Sequence, residues 1–390
     1  YMTSFPPALV LKGSFGLSPK GRQLRNALIG VQYVASFGLI IGATFMYLQN
    51  YYMQNTPLGY DKDEIIITNM NNNIRKSRDA FASQVKSFSG IEEVTYAEML
   101  LSSQDQYMGW GRKYRDKDIQ FQCLPVEPSF LKVMNVKISE GRDFREEDKA
   151  KRYGTFVFNE RARTEYGLEI GSLIDSMEIV GFMPDVKFAS FRTEVTPMAF
   201  FVWGTNNWGN QPNYAYIKVK AGSDLRGAMQ HVKTTLQSFD PEYPFNVRFF
   251  DEVLNGLYEK ERSLSSLITL FSLIAIFISV VGVFGLVVFD SEYRKKEIGI
   301  RKVLGSTTEE IIVMFNKTYI RILCVCFVLG APIAGYVVHR WLENFAYKTP
   351  MYWWVYLIAF AIIAVITILT VTFQNRRAAN ENPVHSIKNE

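Results

Sequence analysis

The chain is poor in the residues that build catalytic and metal sites. Its 390 residues include only three cysteines and three histidines. Cys123 is the single cysteine of the long polar middle section, so neither an intramolecular disulfide nor a cysteine-based metal site can form there. His231, His339 and His385 lie far apart along the chain, and no nucleophile can be paired with a base. We therefore expect a non-catalytic protein without metal or cofactor.

Two further signatures are missing. The phosphate-binding pattern G-x-x-x-x-G-K-[ST] does not occur in the sequence, so any ATPase activity is expected in a partner chain. Charged residues are nearly absent from the long apolar runs, which disfavours a proton-coupled transporter or an ion-conducting pore. The net charge of +5 does not indicate nucleic-acid binding, because the basic residues gather beside the apolar runs.

Long apolar runs are what the chain does have. A spanning helix needs roughly 20 apolar residues, and four runs meet or approach this length: Ala27–Leu48, Leu264–Phe289, Ile322–Val338 and Val355–Phe373. The first run is longer than the apolar part of a signal peptide and is followed by no cleavage motif, so we interpret it as an uncleaved helix. The predicted fold is a membrane protein of four transmembrane α-helices, with a large α+β extracytoplasmic domain inserted between the first and second.

Basic residues orient these spans. They flank the first run, separate the second from the third and follow the fourth: Lys12, Lys20, Arg22, Arg25; Arg294, Lys295, Lys296, Arg301, Lys302, Lys317; Arg376, Arg377, Lys388. The positive-inside rule then places both termini and the loop between spans two and three in the cytoplasm. The predicted segments are a cytoplasmic N-terminal segment 1–26, span 27–48, outer domain 49–262, span 263–289, cytoplasmic segment 290–319, span 320–338, outer loop 339–354, span 355–373 and cytoplasmic tail 374–390.

The outer section alternates strand and helix patterns. Predicted strands are Glu64–Asn69, Glu93–Met99, Ile119–Val126, Thr155–Asn159, Met177–Met183, Met198–Trp203, Tyr214–Lys220 and Phe245–Phe250; predicted helices are Ile74–Phe88, Glu160–Tyr166 and Asp224–Phe239. We expect small mixed sheets in two subdomains. Asp251–Arg262 is predicted to continue as one helix into the second span, as a lever that couples outer and inner motion.

Two aromatic stretches have competing interpretations. The outer loop 339–354 carries six aromatic residues that are typical of an interfacial belt: Trp341, Phe345, Tyr347, Tyr352, Trp353 and Trp354. The segment Trp203–Asn213 is rich in turn formers. A partner-binding surface is one interpretation of it, and a long hairpin connection with one tryptophan packed back on the sheet is the favoured one.

The segment between spans two and three predicts two helices. Ile300, Val303 and Leu304 are apolar at helical spacing, and Gly305 interrupts the pattern. Ser306–Glu310 supplies two overlapping capping boxes, so one helix should end near Leu304 and the next begin near Thr307. A docking helix for a soluble partner and an amphipathic helix on anionic lipid are both compatible with this pattern.

Small residues inside the spans predict close helix packing. They fall in the first, second and third spans: Gly38 and Gly42; Gly282 and Gly285; Ala331 and Gly335.

Several motifs together resemble one family. They are E-I-G-I-R-K-V-L-G at Glu297–Gly305, W-L-E-N-F-A-Y at Trp341–Tyr347, N-P-V-H-S-I at Asn382–Ile387, and L-K-G-S-F at Leu11–Phe15, with Arg25 and Gln32 beyond it. In the outer section, Thr155–Asn159 and Ile179–Asp185 add to the set. The chain resembles FtsX/MacB-type ABC transporter permeases over essentially its whole length, with a MacB-like periplasmic core domain and an FtsX-like permease domain. The start of the chain, Tyr1–Leu11, resembles the junction before the second unit of a tandem permease, so the C-terminal half of a longer protein is favoured over a complete half-size permease.

The resemblance implies a mechanism and partners. The chain would be a permease subunit in the bacterial inner membrane, relaying ATP hydrolysis by a separate ATPase to its periplasmic domain for export or extraction of a substrate. The implied ATPase-coupling residues are Arg294, Lys295, Lys296, Glu297, Ile298, Ile300, Arg301, Lys302, Val303 and Leu304. Further implied partners are a second permease unit, as homodimer or tandem half, a periplasmic or outer-membrane factor, and membrane lipid. The alternative is an FtsX-like interaction protein that regulates a cell-wall enzyme.

Overall fold

The computed structural model describes residues 19–103, 107–293, 300–301 and 304–379. The chain divides into two compact units. The first, called here the helical unit, is Tyr1–Gln54, Glu261–Asn344 and Lys348–Glu390. The second, called the sheet unit, is Asn55–Lys260 with Phe345–Tyr347.

The described residues form ten α-helices and eleven strands. The helices are α1 Pro19–Asn55, α2 Asn72–Lys76, α3 Arg78–Lys86, α4 Phe130–Val133, α5 Glu160–Tyr166, α6 Leu225–Phe239, α7 Phe250–Leu257, α8 Glu259–Tyr293, α9 Thr308–Leu342 and α10 Trp353–Ala379. The strands are β1 Ile65–Asn69, β2 Ile91–Ala97, β3 Gly109–Tyr114, β4 Lys117–Val126, β5 Glu140–Gly141, β6 Thr155–Asn159, β7 Leu173–Ile174, β8 Met177–Met183, β9 Met198–Val202, β10 Tyr214–Val219 and β11 Arg248–Phe249.

Four of these helices are long and apolar enough to cross a membrane. The qualifying stretches are Ala27–Asn55, Glu259–Phe289, Thr308–Leu342 and Trp353–Arg376. They lie in α1, α8, α9 and α10, and the sheet-forming section follows the first of them. The predicted fold class is thereby confirmed.

Apolar packing and a few polar contacts hold the helical unit together. Phe37 and Phe45 of α1 are fully buried. The Phe37 ring lies edge-on to Phe327 of α9, with centroids 5.2 Å apart. Hydrogen bonds cross between helices as well, between the hydroxyls of Tyr33 and Thr367 at 3.0 Å and between those of Ser36 and Ser279 at 2.8 Å. Such bonds are worth about 0.6 kcal/mol each inside helix bundles, so close apolar packing contributes most of the stability.

The sheet unit contains one continuous mixed sheet. Its strand order is β11-β1-β10-β2-β4-β9-β6-β8-β5, with β3 on β4 and β7 on β8. The pairs β4–β9 and β6–β8 are parallel, and the others are antiparallel. A single residue pair, Ala97 with Val126, joins β2 to β4 and so connects the two halves. The prediction of separate small sheets is therefore wrong, because that join depends on residues distant in the chain.

Buried side chains cover both faces of this sheet: Ile65, Leu124 and Val157 belong to a cluster on one face, and the two clusters described next lie on the other face. Helices α3 and α6 bury Phe81, Val85, Val232 and Leu236 against that other face. An aromatic cluster around Trp110 and the neighbouring phenylalanines fills the half formed by β4, β6 and β9. These fully buried aromatic rings supply the core that a section without disulfides needs.

Most predicted elements agree with the structure, and three differ. The predicted helix Ile74–Phe88 is interrupted at Ser77, whose φ of −116° is not helical. The predicted strand Phe245–Phe250 is reduced to Arg248–Phe249, and Phe250 begins α7. The predicted lever is not continuous either, since α7 ends at Leu257 and the next residue, Tyr258, has non-helical angles, φ −113° and ψ 13°, before α8 begins at Glu259.

The aromatic-belt prediction fails for part of the outer loop. Phe345 is only 2% exposed, and Tyr347 is half-buried within the sheet unit. Trp353, in contrast, is 72% exposed, as an interfacial residue would be. The two residues inside the sheet unit are used for packing instead of for anchoring in lipid.

Candidate functional site

The short helix ahead of Gly305 ends as its sequence predicts. Ile300 and Arg301 are helical, and Leu304 N donates to Ile300 O at 3.0 Å. Gly305 has φ +97°, and Ser306 N donates to Arg301 O at 2.9 Å. A positive-φ residue followed by an N–H that donates to the C=O five residues earlier is a Schellman motif, in which glycine is strongly favoured at the positive-φ position. The prediction that the helix ends near Leu304 is confirmed.

The next helix begins at once. Thr307 caps α9: its side chain accepts from Glu310 N at 3.2 Å, and Glu310 Oε2 accepts from Thr307 N at 3.1 Å. Of the two capping boxes that the sequence allows, the structure uses this one. The turn between the helices is thereby fixed from both sides by local hydrogen bonds, each cap contributing about 1 kcal/mol.

Apolar side chains of this segment face solvent. Leu304 is 80% exposed and Ile300 is 55% exposed, with Arg301 exposed beside them. Seven other predicted coupling residues lie outside the described residues: Arg294, Lys295, Lys296, Glu297, Ile298, Lys302 and Val303. The described part is an exposed apolar and basic turn whose end is rigidly defined.

The predicted small packing residues behave in two ways. A Cβ at Gly282 would lie 2.5 Å from Gln32 Oε1, and one at Gly335 would lie 2.8 Å from Tyr356 Oη. Ala331 is 9% exposed within the apolar core. Gly38, Gly42 and Gly285 have no atom of the described chain within 4 Å of such a Cβ. Gly38 and Gly42 instead line an open apolar groove of about 520 Å³.

The turn at Glu140–Phe144 has a structural role. Arg142 binds the buried carboxylate of Asp148 through both guanidinium ends, at 2.7 and 2.9 Å. Burial alone would raise the pKa of Asp148, but the bonds from Arg142 and from Arg145 N outweigh it and hold this pKa below its ordinary value. Burial raises the pKa of the neighbouring Asp143 to about 6. No group of three or more metal-ligating side chains occurs among the described residues.

The tryptophan-rich connection is packed back on the sheet. Trp208 Nε1 donates to Glu98 Oε2 at 2.6 Å, and its ring lies 5.8 Å from that of Trp110. Trp203 is covered by the guanidinium of Arg78, 4.4 Å from the ring centroid. The predicted packing of a tryptophan on the sheet is confirmed, and the predicted hairpin is wrong, because β9 and β10 pair with other strands and not with each other.

One contact set was missed by sequence reasoning. Tyr347, in the outer loop between α9 and α10, donates its N–H to Phe191 O at 3.1 Å, and Phe191 N donates to Tyr258 Oη at 3.0 Å. A pattern of apolar residues could not predict this contact, because Phe191, Tyr258 and Tyr347 come from three separate parts of the chain.

Family models match both units. Residues 29–235 match the MacB-like periplasmic core domain, and residues 269–383 match the FtsX-like permease C-terminal domain. The chain belongs to the FtsX/MacB-type family of ABC transporter permeases.

Curated relatives agree with this assignment. The macrolide export ATP-binding/permease protein MacB of Chromobacterium violaceum is 22% identical over 296 residues, which is 71% of this chain and 45% of that protein. MacB of Escherichia coli K12 is 23% identical over 233 residues, or 56% of this chain and 35% of that protein. The chain thus spans less than half the length of these relatives.

Solved structures are also similar. The periplasmic region of MacB from Actinobacillus actinomycetemcomitans aligns with a TM-score of 0.38 at 14% identity, covering 51% of this chain and 94% of that one. A domain of a permease protein from Porphyromonas gingivalis aligns with a TM-score of 0.34 at 17% identity, covering 50% and 93%.

Proposed function

We propose that the chain is the permease subunit of an ABC transporter that acts by mechanotransmission in the bacterial inner membrane. A separate cytoplasmic ATPase would bind the segment 294–304, and the four membrane helices would relay its closure to the sheet unit in the periplasm. The work done there would be export or extraction of a substrate. The relatives are named for macrolide export, which makes an amphiphilic small molecule one candidate cargo.

The exposed turn before Gly305 carries this proposal. Its chain position, between the second and third candidate spans, is the cytoplasmic side by the positive-inside rule. Leu304 and Ile300 expose apolar surface that a soluble partner could bury. The Gly305 and Thr307 caps join this turn directly to α9, so a force on the turn would pass into that membrane helix.

The test is the double variant Ile300→Ala with Leu304→Ala. Fully burying such a side chain is worth about 1.5–3 kcal/mol. We scale this energy by the exposed fractions of Ile300 and Leu304, 55% and 80%, and allow for the methyl group that each alanine keeps. The double variant should then lose about 2 kcal/mol of binding free energy. We expect roughly 30-fold weaker binding of the ATPase that co-purifies with the wild type. Val313→Ala is the matched control, because Val313 is 63% exposed but lies inside α9.

Lipid composition separates docking from membrane-surface binding. In nanodiscs of neutral lipid, ATPase binding should persist for the wild type and be lost on reversing Arg301 and Lys302 to glutamate. Unchanged assembly and ATPase stimulation in that charge-reversed variant would contradict the docking role. Co-purification of a cell-wall enzyme without any ATPase would instead support the alternative, an FtsX-like interaction protein.

A further inference from the structure

Residues 186–195 of the sheet unit, called here the collar segment, contact three separate stretches of chain. The segment connects β8, which ends at Met183, to β9, which begins at Met198. Both strands flank β6 within the sheet. Each of the three contacted stretches adjoins one or two of the helices that can cross a membrane.

The first stretch, residues 58–60, comes shortly after α1. Lys187 N donates to Leu58 O at 2.8 Å, and the Phe188 ring stacks on Tyr60 with centroids 4.8 Å apart. Gly59 has φ +89°, and a Cβ there would lie 2.7 Å from Val186 Cγ1. The chain leaving α1 is therefore held in direct contact with the collar segment, with no room for a side chain between them.

The second stretch is the end of α7, immediately before α8. Phe191 N donates to the Tyr258 hydroxyl at 3.0 Å, and the two rings lie edge to face 6.1 Å apart. Phe191 is 1% exposed. Since the helix is interrupted at Tyr258, α7 and α8 do not form one rod, and this contact secures the interruption.

The third stretch is residues 345–347, between α9 and α10. Tyr347 N donates to Phe191 O at 3.1 Å, Val195 N donates to the Tyr347 hydroxyl at 3.3 Å, and the rings of Phe191 and Tyr347 lie 5.9 Å apart. The Lys187 ammonium lies 4.8 Å from the centre of the Tyr347 ring. Burial lowers the pKa of Lys187, because desolvation disfavours its charged form.

We propose that the collar segment is the coupling element of the sheet unit, with Phe191 as its central positioning residue. One segment holds the chain leading from α1, the chain leading into α8 and the loop between α9 and α10. Phe191 itself bonds two of the three through its backbone N–H and C=O, and its ring packs against Tyr258 and Tyr347. Phe191→Ala keeps the backbone bonds and removes the ring that fixes both tyrosines in place. A shift of any membrane helix at the end adjoining these stretches would displace the segment, and the segment would displace β8 and β9. This role rests on the proposed function, since it concerns how a relayed motion reaches the sheet.

A purely structural role predicts a different outcome. If Phe191 only stabilises the sheet unit, its removal should loosen the sheet and lower assembly and activity together. If Phe191 positions the three stretches, its removal should leave the sheet and the ATPase activity intact but reduce the ATP-dependent displacement of the sheet unit. A measurement of motion separate from ATPase rate distinguishes these roles.

The experiment uses the full chain with its co-purifying ATPase in nanodiscs. Spin labels are placed on Lys113→Cys of β3 and on Met351→Cys ahead of α10, both exposed positions, in a Cys324→Ser background. The distance between the labels is measured with and without ATP. We compare the wild type, Phe191→Ala, and the pair Tyr258→Phe with Tyr347→Phe, which removes both hydroxyl acceptors and keeps both rings. Phe245→Ala is the control, because it also deletes an aromatic contact, to Tyr243 at 4.7 Å, outside the collar segment.

We expect the ATP-dependent distance change to fall by more than half in Phe191→Ala, and by less in the double tyrosine variant. ATPase rates within twofold of the wild type and unchanged hydrogen exchange in β6 should accompany this loss, and Phe245→Ala should keep the full change. A full distance change in Phe191→Ala overturns the coupling role while the proposed function stands. Parallel loss of ATPase rate and of protection in β6 also overturns it, in favour of a structural role. No distance change in the wild type refutes the proposed function itself.

Discussion

Replacing Arg142 with alanine should leave a buried carboxylate without its main partner. Asp148 is 1% exposed at its side chain and accepts from Arg142 at 2.7 and 2.9 Å and from Arg145 N at 2.8 Å. Lys151 is the remaining cation, 3.6 Å from Asp148 Oδ1. Breaking a fully buried pair from one side costs about 3–5 kcal/mol. Because the Arg142 side chain is 29% exposed and Lys151 remains, we expect Arg142→Ala to lower the free energy of unfolding by about 2–3 kcal/mol.

Hydrogen exchange on the full chain in nanodiscs measures this loss locally. Amides of residues 140–151 should exchange about 30- to 150-fold faster in Arg142→Ala, since each 1.4 kcal/mol is a factor of ten. Arg115→Ala is the control, because its partner Glu169 is exposed and the pair is screened by water. Arg142→Met combined with Asp148→Asn should recover part of the loss by removing the unpaired charge.

The pH dependence has a defined sign. In the wild type the Asp148 pKa lies below its unfolded value, so the pair stabilises the fold above about pH 4 and this stability is lost as the pH falls through the lower, folded pKa. In Arg142→Ala, burial raises this pKa, and protonation relieves the buried charge. The difference between the two proteins should therefore narrow between pH 7 and pH 4. A difference that is independent of pH, or exchange that is unchanged at pH 7, would refute this reasoning.

Three further predictions concern other contacts. Gly282→Ala should lower the thermal stability of the solubilised chain slightly, because its Cβ would displace the flexible amide end of Gln32, and Gly285→Ala should have no effect. Stability should return when Gln32→Ala is added, and equal effects of the two glycine variants would contradict the packing assignment. Asp143→Asn should raise the free energy of unfolding at pH 7 by about 1 kcal/mol, discounted for exposure, because it removes a partly buried carboxylate. This gain should disappear as the pH falls from above 6 to below 4, since protonation then neutralises Asp143 in the wild type as well. A gain that is constant with pH would argue against burial of the charge as its cause. Glu98→Ala should speed hydrogen exchange in residues 203–213, because it removes the carboxylate that accepts from Trp208 and Asn210. The control Glu92→Ala, at an exposed position, should leave this exchange unchanged. Protection that survives Glu98→Ala would show that ring packing alone holds this connection.

Elements defined by near neighbours could be predicted from the sequence. The strands Thr155–Asn159 and Met177–Met183 and the helix Glu160–Tyr166 appear in the structure with the predicted bounds. Between α8 and α9, Gly305 and Thr307 mark the end of one helix and the start of the next, as predicted. Capping and apolar spacing act within a few residues, so the pattern alone contains the information.

Interruptions and long-range joins could not be predicted. The helix break at Tyr258 lies in a charged helical pattern without proline or glycine at that position. Val195 and Tyr347 meet across 152 residues of chain. Local propensity is a weak prior that tertiary contacts routinely override, and here the Tyr258 hydroxyl is used as an acceptor by Phe191.

The sequence by itself predicted four candidate membrane spans with a large domain inserted after the first, and it carried the resemblance to an ABC transporter permease family. Transfer of apolar side chains from water and the charge bias of short loops depend on composition along the chain, so they can be summed without a structure. Only the tertiary structure decided that the inserted domain has one sheet joined at Ala97 and Val126, and that the collar segment holds three chain connections, two of them through Phe191. Those features depend on which distant residues meet in space, and a hydrogen bond or ring contact is specified by geometry that no local pattern contains.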